Sequence, residues 1–439
     1  MSRALASLAA DISAGPGRPP DGPAAAVAAS PARTHWRAVW LALLTAGLLA
    51  GLGAWIYQLS EGLAVTNMRN PMMWGLYITF FMFFVGLSAG GLIVASAGRL
   101  FGGTRLKPIV RLAVVEATVA VLLAALFLVP DVGRPDRLWH LFRYPQFASP
   151  MMWDITIVII YLVISLLYVW VYTRADHARA GSRLALGTGT SEADYRRDER
   201  LKTVLAAVGL PAAILLHSIT AWIFGLQISR GFWYTAIMAP LFISSALVSG
   251  TGLMLLLSLV ARRVKRLSFP AELVAFMGKL LAIFLAVEMF LVFSDMLTGA
   301  YPGAEFEAGP MARLLSGRYA PFFWVEVVVG LMVPFLILVG PRRRLSPRWT
   351  VVASALAVVG IFVHRFNIVL NGLSYATLPE PPGVAIGTPQ PVGETSFALS
   401  QFYYPSWVEW IVALGLLCLG ALIFTAAVVK LPLREEGKI

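Results

Sequence analysis

The sequence predicts an all-α integral membrane protein with about ten transmembrane helices. Three observations carry that expectation. Hydrophobic residues make up 58% of the 439-residue chain and charged residues only 13%, about half the charge that coats a soluble domain. Mean hydropathy is +0.76. Apolar runs long enough to cross a hydrocarbon core of about 30 Å recur along the chain. They are continuous rather than alternating, so helices and not barrel strands are the spanning element. This composition excludes a soluble globular enzyme, a disordered chain and a disulfide scaffold. The single cysteine, Cys418, makes no intrachain disulfide and cannot hold an iron–sulfur cluster or a cysteine zinc site.

Residues 1–35 are rich in Ala, Pro, Gly and Ser and read as a flexible cytoplasmic tail rather than a cleaved signal peptide. Residues 36–430 form the membrane domain, and 431–439 a short cytoplasmic tail. The first span, 36–59, serves as the insertion signal. The second, 73–98, opens on Asn70-Pro71-Met72-Met73-Trp74-Gly75, and the third covers 108–130. The fourth, 152–173, opens on Ser149-Pro150-Met151-Met152-Trp153-Asp154, echoing the second. The next four cover 202–228, 235–261, 273–298 and 320–340, and the last two 349–372 and 406–430. Trp324-Val325-Glu326 and Trp407-Val408-Glu409 open the eighth and tenth spans alike. Repeated helix starts of this kind suggest duplicated helical bundles.

Lys and Arg set the orientation. With alternating spans, 26 of the 35 basic residues fall on the side of both termini and 7 on the other side, with Lys279 and Arg365 inside spans. Both termini are therefore expected in the cytoplasm. The net charge of +12 follows from this topology and does not signal nucleic-acid binding. The outer connections are poor in charge and rich in Trp, Tyr, Phe, Pro and Met. They read either as an aromatic belt at the headgroups or as a docking surface for an extracytoplasmic protein. The connection 373–405 has no Lys or Arg and six Pro. It is too long for a simple link, which favours docking there.

Ionisable residues inside a membrane are costly and face the protein interior or water. Here they are Glu116, Asp154, His217, Lys279, Glu288, Asp295, Glu326, His364, Arg365 and Glu409. Glu288 and Asp295 are seven residues apart, on one helix face and about 10 Å apart along the axis. They read as a proton relay or as buried acids satisfied by a partner such as Arg365. Before the fourth span, the segment Asp131 to His140 leads through Tyr144 to Asp154. A His, a Tyr and an Asp near the membrane surface suit a quinone. Its carbonyls need hydrogen-bond donors and its reduction needs protons, which a His near a carboxylate can supply. A solvated loop is the plainer reading. His217 and His364 could ligate one haem b but not two.

Four stretches together resemble the NrfD/PsrC family of quinone-reactive membrane subunits. They are Asn70-Pro71-Met72-Met73-Trp74-Gly75 with Gly86-Leu87-Ser88-Ala89-Gly90-Gly91; Gly133-Arg134-Pro135 with Trp139-His140 through Trp153-Asp154; His217 through Trp222; and His364-Arg365-Phe366-Asn367 with Asn371-Gly372. The resemblance covers about 36–430. It implies paired four-helix bundles, here with two flanking helices as in the ten-helix branch, in a bacterial cytoplasmic membrane. It implies no haem or metal on this chain, and a quinone, menaquinone or ubiquinone, as substrate. It also implies a ferredoxin-like iron–sulfur partner linked to a catalytic subunit, often a molybdopterin enzyme. His140 and Asp154 match the family's quinone-site region, and His217 lies on a matching span. Ile223 replaces an acid found in some relatives, and Trp233-Tyr234 replaces a Trp-His; both departures weaken any expectation of proton pumping carried over from such relatives and leave quinone binding untouched.

The sequence-level expectation is thus a subunit passing electrons between the quinone pool and an extracytoplasmic iron–sulfur partner. His140, Tyr144, Asp154 and His217 would serve the quinone, and Glu288, Asp295 and Arg365 a proton route. The rival is a secondary transporter or proton channel, which the intramembrane acids also fit.

Overall fold

The computed structural model describes residues 31–69, 72–102, 104–186, 189–265, 269–374 and 403–431. The N-terminal tail, Asn70-Pro71, most of the 373–405 connection and the C-terminal tail lie outside them. Residues up to Leu43 and residues Leu44–Ile439 form two compact units.

Among the described residues, ten helices are long and apolar enough to span a membrane. They are α1 (Pro31–Glu61), α2 (Leu76–Leu100), α3 (Lys107–Asp131), α4 (Pro150–Arg179), α5 (Glu192–Gly225), α6 (Met238–Lys265), α7 (Ala271–Ala300), α8 (320–339), α9 (Pro347–Ser374) and α10 (Trp407–Lys430). Each overlaps one expected span. The described residues contain no strand.

Helix starts follow local chemistry. Pro108, Pro150 and Pro321 sit in the first turns of α3, α4 and α8, where a missing N–H costs nothing and φ is already helical. Ser191 with Asp194 and Ser406 with Glu409 close capping boxes on α5 and α10. α5 begins about ten residues before its apolar run. Its first turns are charged and stand clear of the apolar stretch, supported by Glu192–Arg196 at 3.5 Å and Glu199–Lys202 at 2.9 Å. Apolarity marked only the part of the helix in lipid. The two Pro-Met-Met-Trp echoes also differ: Met72 is buried before α2 starts, whereas Met151 is exposed and Met152 buried inside α4.

The packing is sequential. α2 pairs with α3, α3 with α4, α4 with α5, and α5 returns to α2; likewise α6 with α7, α7 with α8, α8 with α9, and α9 returns to α6. α2 also meets α6 and α9, and α10 lies on α3 and α2. α2 is buried along its whole apolar length, and its run Gly86 to Gly91 shows how. A Cβ on Gly90 would strike the Ala246 backbone of α6, one on Gly91 would strike the Glu116 carboxylate, and Gly86 lies against His217. Small residues let neighbouring backbones approach where lipid offers no hydrophobic drive. By contrast Phe290, Phe293 and Leu297 of α7 and Trp410 and Leu414 of α10 are exposed, as lipid-facing side chains are.

Several connections carry short helices of their own. A short helix, His140–Arg143, precedes α4, and a twelve-residue helix, Glu305–Ser316, precedes α8. Gly133 turns the chain after α3 with φ +67°, a left-handed conformation that favours glycine.

Candidate functional site

Two adjoining sets stand out among the described ionisable residues of the membrane helices. The first joins α4, α5, α6 and α9. Asp154 lies in the first turns of α4, 2% exposed, and its Oδ1 is 2.6 Å from Thr220 Oγ1 of α5. Thr220 and His217 are three residues apart and therefore share a helix face. His217, fully buried, receives a hydrogen bond on Nε2 from the Arg365 guanidinium at 3.0 Å. Arginine cannot lend a lone pair, so Nε2 is the acceptor and the imidazole is neutral. Arg365 Nη2 also donates to Ser245 Oγ at 2.5 Å and to the Phe242 carbonyl at 3.3 Å. Its guanidinium carbon lies 3.9 Å above the Phe242 ring, a cation–π contact strengthened by desolvation.

The second set surrounds His364. Its Nδ1 is 2.8 Å from Glu326 Oε1, and its Nε2 is 3.8 Å from Glu288 Oε1. Glu326 Oε2 accepts from Asn367 at 2.6 Å, and Glu288 Oε2 accepts from Ser244. A cavity of about 30 Å³ lies beside this set, lined by Asp295, Glu326, His364 and Asn367 with apolar neighbours. It has room for one or two waters and none for a quinone ring. Glu288, Asp295 and Arg365, expected from the sequence as a proton route, thus share one region.

The predicted quinone residues divide. Among the described residues the hydrogen-bond partner of Asp154 is Thr220, not His140. His140 and Tyr144 lie on the exposed connection, with the His140 ring 4.2 Å from Trp139 and 5.9 Å from Tyr144. Trp139, Phe142, Tyr144, Phe147 and Met151 are all more than half exposed, an aromatic and thioether surface just outside the α4 start. Nearby, Arg134 donates from Nε and Nη2 to Asp136, and these bonds hold the Asp136 carboxyl below its ordinary range.

Sequence reasoning gave no role to Thr220 within the stretch His217 through Trp222, nor to Ser244 and Ser245, because hydroxyls are common in such helices and carry no pattern. It also missed the aromatic wall of Trp74, Phe224 and Trp233, whose ring centres lie 5.0–5.9 Å apart. Trp233 donates to the Ile368 carbonyl at 2.7 Å, and a Cβ on Gly372 would overlap its indole. Glu409, grouped with Glu326 by sequence, is instead a cap: it accepts from the Ser406 and Asn67 backbone and from Tyr403.

Comparison with known proteins gives one family. A family model described as "Polysulphide reductase, NrfD" matches residues 64–376. The chain is 40% identical over 391 residues to a putative dimethyl sulfoxide reductase membrane subunit of Halobacterium salinarum, covering 88% of this chain and 89% of that one. It is 25% identical to the "Hdr-like menaquinol oxidoreductase integral membrane subunit" of Archaeoglobus fulgidus, covering 88% and 92%. It is 23% identical to "Menaquinone reductase, integral membrane subunit" of Nitratidesulfovibrio vulgaris, covering 86% and 87%.

Proposed function

This multi-pass membrane protein belongs to the NrfD polysulphide reductase family, and from that premise we propose that it is the quinone-reactive membrane subunit of an oxidoreductase complex. The relatives' names refer to membrane subunits of redox enzymes, one a menaquinol oxidoreductase and one a menaquinone reductase. The observation that carries the reading is the pair of buried contacts Asp154–Thr220 and His217–Arg365, joined by one face of α5, with Asp154 three residues beyond the exposed Met151 at the start of α4. That surface offers rings for a quinone headgroup to stack on while its tail stays in lipid. His140 hydrogen-bonds one carbonyl, with Tyr144 beside it. Asp154, behind the surface, accepts or delivers the proton that each change of quinone redox state requires. His217, held neutral by Arg365, can take a proton only when that hydrogen bond yields. Glu288, Asp295 and Arg365 form the route by which protons leave or arrive.

The partner is an iron–sulfur protein on the outer side, joined to a catalytic redox subunit that acts on the terminal substrate. The two closed rounds of packing, α2–α5 and α6–α9, are read as two four-helix bundles flanked by α1 and α10. Both termini lie in the cytoplasm, as the distribution of Lys and Arg indicates.

Two substitutions test the site. In the assembled complex, His140→Gln and Asp154→Asn should each lower quinol-linked turnover by about 10²-fold or more. Activity of the partner subunits with an artificial dye should persist. Loss of both activities together with the partners would assign these residues to assembly and overturn the reading.

A further inference from the structure

We propose that Glu326, His364 and Asn367 form a proton-holding site, and that Arg365 couples it to His217. This rests on the quinone reading above and deepens it.

The site is built by backbone. α8 winds as a π-helix over Val325–Met332, a geometry that occurs mostly as short insertions and often at functional sites. Glu326 stands at the start of that segment and reaches both His364 and Asn367. Gly330 of the same segment touches Gly360 of α9 so closely that a Cβ on either would collide with the other. Glu326 and His364 each lie four residues from that crossing, toward the same end of the two antiparallel helices. The crossing therefore fixes carboxylate and imidazole at one level.

Charge then demands a proton. The groups facing one another here are Glu288 and Asp295 of α7, Glu326 of α8, His364, Arg365 and Asn367 of α9, Ser244 and Ser245 of α6, and His217 of α5. His217 is neutral while it accepts from Arg365. Glu288 and Glu326 both ionised would leave one guanidinium against two carboxylates in a fully buried place, with Asp295 adding a third. Uncompensated charge is strongly disfavoured there. A proton held between His364 and its two carboxylates removes the excess of Glu288 and Glu326 over Arg365. His364 Nε2 and Glu288 Oε1, both buried and both without a hydrogen-bond partner, face each other at 3.8 Å, a gap that a small side-chain rotation closes to a direct hydrogen bond. His364 and Glu326 also line the water-sized cavity, which Asp295 borders one helical stretch nearer the outer connection.

Arg365 links this store to the quinone side. A proton arriving on His217 Nε2 occupies the lone pair that the guanidinium used, so two cations would meet at 3.0 Å. Arg365 keeps its charge and carries Nε and Nη1 without a partner, while Glu288 Oε1 has an unused acceptor. The guanidinium therefore turns toward Glu288. With the guanidinium beside Glu288 and the imidazolium at His217, two cations now balance the two carboxylates, and the held proton leaves through the cavity past Asp295. One proton enters at His217 and one leaves, with no bond made or broken elsewhere.

The test uses the complete complex in liposomes, wild type beside Glu326→Gln and His364→Gln. It reads quinol-linked turnover, protons released per electron, and the infrared difference spectrum on quinol addition. The proposal expects more protons per electron in the wild type than quinone chemistry alone gives. It also expects a protonated-carboxyl band that changes on quinol addition. In both variants turnover should stay within about threefold, the extra protons should be lost, and in Glu326→Gln the band should vanish. An unchanged ratio in both variants, or no extra protons in the wild type, overturns the proposal and leaves the quinone reading standing. If both variants fail to assemble, the wild-type ratio and band decide alone. Absence of any quinol-linked turnover in the wild type defeats the quinone reading itself.

Discussion

Thr220 shows how much of the site depends on side chains that carry no charge. Its hydroxyl is 2.6 Å from Asp154 Oδ1 and is fully buried. Thr220→Val keeps the shape and removes the hydroxyl, leaving a buried carboxyl without its partner, a loss on the order of 1–3 kcal/mol. Quinol-linked turnover should fall roughly tenfold, and Thr220→Ser should restore it; steady-state kinetics of the assembled complex check both. The ionisable members of the site were legible in the sequence, because a charge inside an apolar run stands out. Their partners were not. Asp154 lies close to His140 in sequence, and that closeness suggested contact. The chain between them passes from an exposed four-residue helix into the buried start of α4, so the two residues face different surroundings. Arg365 was read as a partner for acids. The structure also gives it an imidazole, and that contact fixes the protonation of His217.

At the scale of single helices, hydropathy located every span, because burial in lipid and burial in protein ask for the same apolar run. It placed ends less well where a charged helix continues into water, as α5 does from Glu192. It gave no sign of the π segment in α8, which is a matter of backbone register rather than of composition. Glycines in the motifs Gly86 to Gly91 and Asn371-Gly372 were legible as motifs but not as contacts. The structure explains them by close approach. Gly372 makes room for the Trp233 indole, which ties the α5–α6 connection to α9 through the Ile368 carbonyl. Gly372→Val should destabilise the protein by about 1–3 kcal/mol through overpacking and lower its thermal midpoint in detergent. A neighbouring exposed change, Tyr234→Phe, should leave the midpoint unchanged.

The whole molecule raises questions of orientation and partnership. The imbalance of Lys and Arg predicts that the α4–α5 connection faces the cytoplasm and the α3–α4 connection the opposite side. In a Cys418→Ser background, cysteines at exposed Gly181 and Gln146 should react with an impermeant thiol reagent from opposite sides. In intact cells Gln146→Cys should label and Gly181→Cys should label only after lysis; the reverse pattern would invert the topology. The connection 373–405, read from its length and prolines as a docking element, lies almost wholly outside the described residues, so its part in partner binding rests on sequence. The most direct measurement is to purify the tagged chain from its native membrane in mild detergent, identify what comes with it, and add quinol. An iron–sulfur protein and a larger redox subunit should accompany it, and the complex should exchange electrons with the quinone. A chain that isolates alone, ignores quinol and moves protons or solute across a liposome membrane without a partner would contradict the account.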